Sequence, residues 1–257
     1  MRFRKVLKIT PVLQQYIKNW LHASILIKLN KYPVKIEARS GRIYYAKNYD
    51  EFRSIFVNIK YGIDFKFIEK GGDLADTFYF ESYKFSNLKS KTVLDIGANI
   101  GDSSIYFALQ GASRVIAIEP LPQFFNVLAD NIKVNELENI ILPLNLMVGN
   151  KDQKTRIDTN IELGIGTKAK ETLDGFEINM VTLSYIVDKF KIENGKLKMD
   201  CEGCEYDIII PEKGEILRNF DEMVIEYHNG FKELKNRLEE AGFKVIVKKA
   251  IIYAERK

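Results

Sequence analysis

The chain has 257 residues, 46% apolar and 29% charged, which excludes a disordered or fibrous protein and leaves room for one large domain or a domain with an extension. A formal net charge of +4 names no partner, and two cysteines, Cys201 and Cys204, are too few for a disulfide-framed secreted domain. No secretory leader is recognisable and the apolar stretches fall short of the roughly 20 residues that span a bilayer, so a cytoplasmic protein is expected.

In chain order, the first predicted element lies in a basic segment. No Asp or Glu precedes Glu37, whereas Arg2, Arg4, Lys5, Lys8, Lys18, Lys28, Lys31 and Lys35 do, giving this stretch +8 and the remainder about −4. Thr10-Pro11 reads as a helix start, a hydroxyl cap followed by proline at the first helical position. Leu13, Ile17, Trp20, Leu21 and Ile27 then fall on one face at helical spacing. Residues 33–46 read as a hairpin turning at Ser40-Gly41, Asp50 as the cap of a helix to about Lys60, and Gly71-Gly72 as a hinge. Residues 1–74 are thus expected as an N-terminal α+β extension (helix, hairpin, helix) and 75–257 as the main domain. The basic extension has two readings: a helix packed on protein, which is preferred, or a peripheral contact with an anionic membrane.

From about residue 91 the pattern becomes strand, loop, helix, repeated. Strands are expected at 92–96, 115–118, 140–144, 197–199, 223–227, 244–247 and 251–254. Helices are expected at 103–109, 122–134 and 183–190, from Asn229 to Gly242, and in mixed form over 206–217. Residues 150–180 hold looser β-like pieces. This alternation argues for a mostly parallel seven-stranded Rossmann-like sheet with helices on both faces and an antiparallel pair at one edge.

The motifs fall at the carboxyl ends of these strands, where open α/β sheets bind ligands. Asp95-Ile96-Gly97-Ala98-Asn99-Ile100-Gly101-Asp102 joins the first strand to its helix, its glycines permitting a sharp turn and close approach to a ligand. Glu119 ends the next strand, 18 residues after Gly101, where a carboxylate can accept from both hydroxyls of a ribose. The glycine spacing departs from the G-x-G-x-x-G of dinucleotide sites, with Ser104 where a third glycine belongs. Asp95 opposes a pyrophosphate and suits a ligand carrying an ammonium and a sulfonium. These features favour S-adenosylmethionine over NAD.

The fourth strand ends in Lys198-Met199-Asp200-Cys201-Glu202-Gly203-Cys204-Glu205, and the fifth in Glu226-Tyr227-His228. Three carboxylates in six residues at a strand end point to chemistry rather than packing. The Cys201–Cys204 spacing is read as coincidental, because a structural zinc site wants four ligands and a redox pair would open a thioredoxin-like helix.

Together these residues resemble the FkbM-type methyltransferase family: Val93–Asp102 its cofactor loop, Ile118-Glu119-Pro120 its ribose-binding strand end, Asn145–Gly149 the residues after its third strand, Val181-Thr182-Leu183 the lead-in to its short helix, and Lys198-x-Asp200-x-Glu202-Gly203-x-Glu205 its hallmark. The resemblance covers roughly residues 75–250 and implies S-adenosylmethionine-dependent O-methylation of a hydroxyl on a sugar, glycan or other small molecule. Gly97, Asn99 and Gly101 are expected to contact the cofactor through the backbone, Asp95 to order the loop, Glu119 to hold the ribose and Asn145 to border the adenine. Asp200 or His228 is expected as general base, with Glu202 positioning and Lys198 and Glu205 shaping the loop. No metal is predicted, although a divalent cation held by Asp200, Glu202 and Glu226 is the rival arrangement. The alternatives are a non-catalytic S-adenosylmethionine-binding protein, an NAD-dependent oxidoreductase and a nucleic-acid methyltransferase. The last lacks an aromatic-interleaved basic stripe, and no nucleic-acid partner is expected.

Overall fold

Short β-branched runs, each followed by an amphipathic stretch, build the central layer. The computed structural model describes residues 13–66, 74–160 and 167–257. The described residues form two compact units, one containing those up to Phe65 with Leu74–Phe80, the other containing Lys66 and those from Glu81 onward.

In the first unit, a hairpin of β1 (Val34–Glu37) and β2 (Ile43–Ala46) accompanies α1 (Trp20–Lys28), α2 (Tyr49–Tyr61) and α3 (Leu74–Phe78). Leu13, Ile17, Ile27, Val34, Ile36 and Phe56 are buried in its core. The expected continuous helical face breaks at residues 17–19, where Ile17 makes a β-bridge to Ala38. Asn19 there bonds the backbone of β1, donating to Lys35 O and accepting from Glu37 N. Leu21 consequently points to solvent, 57% exposed. The cap of α2 is Asn48 rather than Asp50: Asn48 Oδ1 accepts from Glu51 N while Glu51 accepts from Lys47 N, a near-reciprocal pair at the helix start. Thr10-Pro11 and Gly71-Gly72 lie outside the described residues.

The second unit holds seven strands: β3 (Thr92–Ile96), β4 (Arg114–Ile118), β5 (Ile141–Leu144), β9 (Gly195–Met199), β10 (Phe220–Glu226), β11 (Phe243–Lys248) and β12 (Ile251–Arg256). Their order is β11-β12-β10-β9-β3-β4-β5, parallel except for β12, which runs antiparallel to both neighbours. The sequence reverses direction across the sheet between β3 and β9, the switch point beside which such folds bind ligands. A second sheet of β6 (Met147–Val148), β7 (Gln153–Ile157) and β8 (Phe176–Val181) gathers the β-like pieces of the 150–180 stretch. The helices are α4 (Asp102–Leu109), α5 (Pro122–Val134), α6 (Leu183–Phe190), α7 (Glu205–Ile209), α8 (Gly214–Leu217) and α9 (Lys232–Glu240). Leu94, Ile116, Leu197, Phe220, Ile225 and Leu238 are among the side chains of their shared core.

Two strands run longer than their apolar runs. β9 begins at Gly195 because Lys196, 3% exposed, pairs with Asp221 at 2.8 Å and Glu222 at 2.5 Å, and those two acids extend β10 backward. Asn229 does not cap α9; its N–H donates to the Tyr206 hydroxyl, and the helix begins at Lys232. Among the described residues no helix is long and apolar enough to cross a membrane.

Candidate active site

The loop after β3 is shaped for close approach. Gly97 has φ +78°, and a Cβ there would stand 1.8 Å from the Asp200 carbonyl oxygen, so only glycine lets this loop meet the one after β9. Gly101, at φ +90°, precedes α4 and would drive a Cβ to 2.6 Å from Leu128. Asp95 is fully buried and faces inward. It accepts from the Ser103 and Ser104 hydroxyls, both at 2.6 Å, and lies 3.1 Å from Lys198 Nζ, which also donates to Gly97 O at 2.8 Å. Burial works to lower the Lys198 pKa, but Asp95, Asp200 and Asp102 outweigh it and hold the ammonium charged. Ser104, read from sequence only as a missing glycine, is part of the clamp that fixes the loop.

Glu119, at the end of β4, is 5% exposed. Its Oε2 accepts from Asn99 N and its Oε1 from Leu121 N, each at 2.9 Å. Burial raises its pKa to about 7 against these two hydrogen bonds. Each oxygen keeps a second lone pair. Asn145 sits differently from expectation. Its amide donates to Glu119 O and Pro120 O and so braces the strand end, and it is not among the cavity-lining residues.

A cavity of about 1080 Å³, counted with its open mouth, runs along these strand ends. Leu121, Phe124, Met147 and Val148 form an apolar wall, while Gly97, Asn99, Glu119 and Asp200 line the polar side. Asn99 Oδ1 is buried without a hydrogen-bond partner. An apolar slot for a flat ring, a carboxylate with spare lone pairs for a diol, and an orphan acceptor for a cationic head together fit an adenosyl ligand with positive groups.

The loop after β9 carries the acidic set. His228 Nδ1 lies 3.0 Å from Glu205 Oε1, and its Nε2 lies 3.0 Å from Glu202 Oε2 and 3.8 Å from Asp200 Oδ1. Hydrogen bonding to Glu202 and Glu205 raises the His228 pKa to about 10. Both ring nitrogens of His228, expected as one of two candidate bases, thus face carboxylates, which favours its protonated form. Glu205 is fully buried and also accepts from Cys201 N at 3.2 Å. Asp200, Glu202 and His228 converge, with one ligand atom of each within 4.8 Å of the others.

Two further features escaped the sequence reading. Tyr83, 6% exposed, places its hydroxyl 2.9 Å from Asp200 Oδ2 and 2.8 Å from Glu226 Oε2. Nothing local marks this tyrosine, since its partners lie 117 and 143 residues away. Cys201 and Cys204, read as coincidental, are joined by a disulfide, and both line the cavity. The two sulfurs meet because Glu202 and Gly203 between them both have positive φ, 59° and 107°, which folds the four-residue span back on itself.

A family model described as the Methyltransferase FkbM domain matches residues 95–245. Protein arginine N-methyltransferase 6 of Xenopus tropicalis is 27% identical over 134 residues, covering 50% of this chain but only 38% of that protein, so the chain spans well under half the length of this curated relative. Among solved structures, the METTL16 MTase domain superposes with a TM-score of 0.50 at 13% identity, covering 95% of this chain and 87% of that one. A precorrin-6y C5,15-methyltransferase from Geobacter metallireducens GS-15 gives 0.48 at 14% identity, covering 75% and 94%. At such identities the METTL16 superposition speaks for the fold alone.

Proposed function

This chain belongs to the FkbM family of S-adenosylmethionine-dependent methyltransferases, and we propose that it methylates a hydroxyl oxygen of a sugar, glycan or other small molecule. The observation that carries this reading is one cavity lined by both Glu119 and Asp200, the latter a carboxylate whose Oδ1 lies 3.8 Å from His228 Nε2.

S-adenosylmethionine, when bound, supplies a methyl group already activated on a sulfonium. Glu119 is suited to hold the ribose diol on its spare lone pairs, and Asn99 and Gly97 to line the cationic head. An alcohol is a weak nucleophile, so a base within reach of its proton is required. Asp200 takes that role: Oδ2 is held by Tyr83, leaving Oδ1 to accept the acceptor's proton. Glu202 acts through His228, which it holds in place together with Glu205. A charged imidazole there favours the ionised form of the carboxylates that face it.

The test is transfer of a labelled methyl group to a panel of hydroxyl and amine acceptors, with Asp200→Asn in parallel. Labelling of hydroxyl acceptors, lowered about 10²- to 10⁴-fold in Asp200→Asn and insensitive to chelator, is expected. Transfer confined to amines contradicts the oxygen acceptor. Loss of activity on chelation, restored by a divalent cation, contradicts the metal-free site. Tight cofactor binding with no acceptor turned over favours the non-catalytic alternative.

A further inference from the structure

The hydroxyl of Tyr83 has one hydrogen and two carboxylate oxygens within 2.9 Å, Asp200 Oδ2 and Glu226 Oε2. It can donate to only one of them. With both carboxylates ionised, the other contact would set two bare acceptors against each other in a largely buried site. Such an arrangement is stable only if a second hydrogen lies in the group.

Neighbouring cations do not remove that requirement. Lys198 Nζ is committed to Asp95 and Gly97 O, and its nearest approach to Tyr83 is over the ring, 5.1 Å from the centroid. His228 is committed to Glu202 and Glu205. Asp200 and Glu226 are thus left to each other, bridged by one phenol.

We propose that Glu226 carries this second hydrogen and donates it to the Tyr83 oxygen, while Tyr83 donates to Asp200 Oδ2, so that Glu226 and Tyr83 are positioning residues that keep Asp200 ionised with Oδ1 turned to the acceptor. The direction of the chain follows from the site: Asp200 and Tyr83 line the cavity, where the acceptor must bind, whereas Glu226 is not among the lining residues. No bond to the cofactor or acceptor is assigned to either positioning residue. The inference rests on Asp200 as base.

The discriminating experiment compares Glu226→Gln with Glu226→Leu and Tyr83→Phe, reading kcat, the KM for each substrate and S-adenosylhomocysteine affinity. A glutamine amide donates to Tyr83 as a protonated glutamate does, so Glu226→Gln is expected to keep kcat within a few-fold of wild type. Glu226→Leu and Tyr83→Phe remove a donor from the chain, and kcat is expected to fall about ten- to a hundredfold with KM and S-adenosylhomocysteine affinity unchanged. A Glu226→Gln protein as impaired as Glu226→Leu overturns the proposal, because glutamate would then be acting as an anion. Wild-type kcat in Tyr83→Phe overturns it as well. A fall in S-adenosylhomocysteine affinity matching the fall in kcat in these variants overturns it too, since that is a structural role. Full activity in Asp200→Asn defeats the base assignment instead, and so separates the two failures.

Discussion

Asp95 and Lys198 are register partners on the adjacent parallel strands β3 and β9, and their side chains form a buried ion pair of 3.1 Å. The pair ties the glycine loop to the acidic loop, since Lys198 also holds Gly97 O and Asp95 also holds two hydroxyls of α4. Removing one partner strands the other charge in the core. Lys198→Met is therefore expected to cost about 3–5 kcal/mol of stability and to abolish cofactor binding, read by denaturant unfolding and ligand titration. A loss under about 1 kcal/mol would show that the pair is not buried as described.

Gly97→Ala tests the contact between the two loops. Its Cβ would collide with the Asp200 carbonyl, and its φ of +78° strains any side chain. Gly230 has a similar φ of +96° but nothing within 4 Å of its Cβ position. Gly230→Ala is expected to cost only the backbone strain, about 1–2 kcal/mol. Gly97→Ala should cost more and remove S-adenosylhomocysteine binding. Equal losses in the two variants would mean that the close approach is not real.

The state of Glu119 gives cofactor binding a pH dependence. Its folded pKa of about 7 lies above the usual carboxylate range, and ribose hydroxyls donate to the ionised form. Affinity for S-adenosylhomocysteine is expected to plateau above pH 7 and to weaken by up to about tenfold per pH unit below it. For stability the sign is opposite. The native state binds the proton more tightly than the unfolded chain, so the Glu119 contribution declines as pH rises from the unfolded carboxylate range through about 7. Titration at several pH values, with Glu119→Gln as control, checks this; an acid limb that persists in Glu119→Gln would assign it to another group.

Much of this arrangement was legible in the sequence, and the exceptions have physical causes. The seven strands and the glycine loop are local signals, a buried β-branched run followed by residues that tolerate positive φ. The starts of β9 and β10 were misplaced because lysine is rarely buried, and only the partner acids 221 and 222, distant from Lys196 in sequence, allow it here. Asn145 was expected to border the adenine; its amide donates to Glu119 O and Pro120 O, a contact that spacing does not reveal. His228 was correctly placed among the acids, but its charge depends on two hydrogen bonds that no linear pattern encodes. Tyr83 reaches the site from outside every motif.

The Cys201–Cys204 disulfide closes a four-residue span beside the catalytic carboxylate. In the chain-entropy picture a loop this short contributes about 2 kcal/mol. Reduction should lower unfolding stability by about that amount, and alkylation of the unfolded, unreduced chain should label neither cysteine. Labelling of both without reductant would show free thiols instead.

The central claim is that the cavity at the ends of β3 and β4 holds the adenosyl cofactor through Glu119. Calorimetric titration with S-adenosylhomocysteine tests it most directly, on the wild-type chain and on Glu119→Ala. One-to-one binding is predicted, weakened about ten- to a hundredfold or more in the variant, as expected for the loss of hydrogen bonds to a charged group. No binding to the wild-type chain, or equal binding to both, would contradict the account.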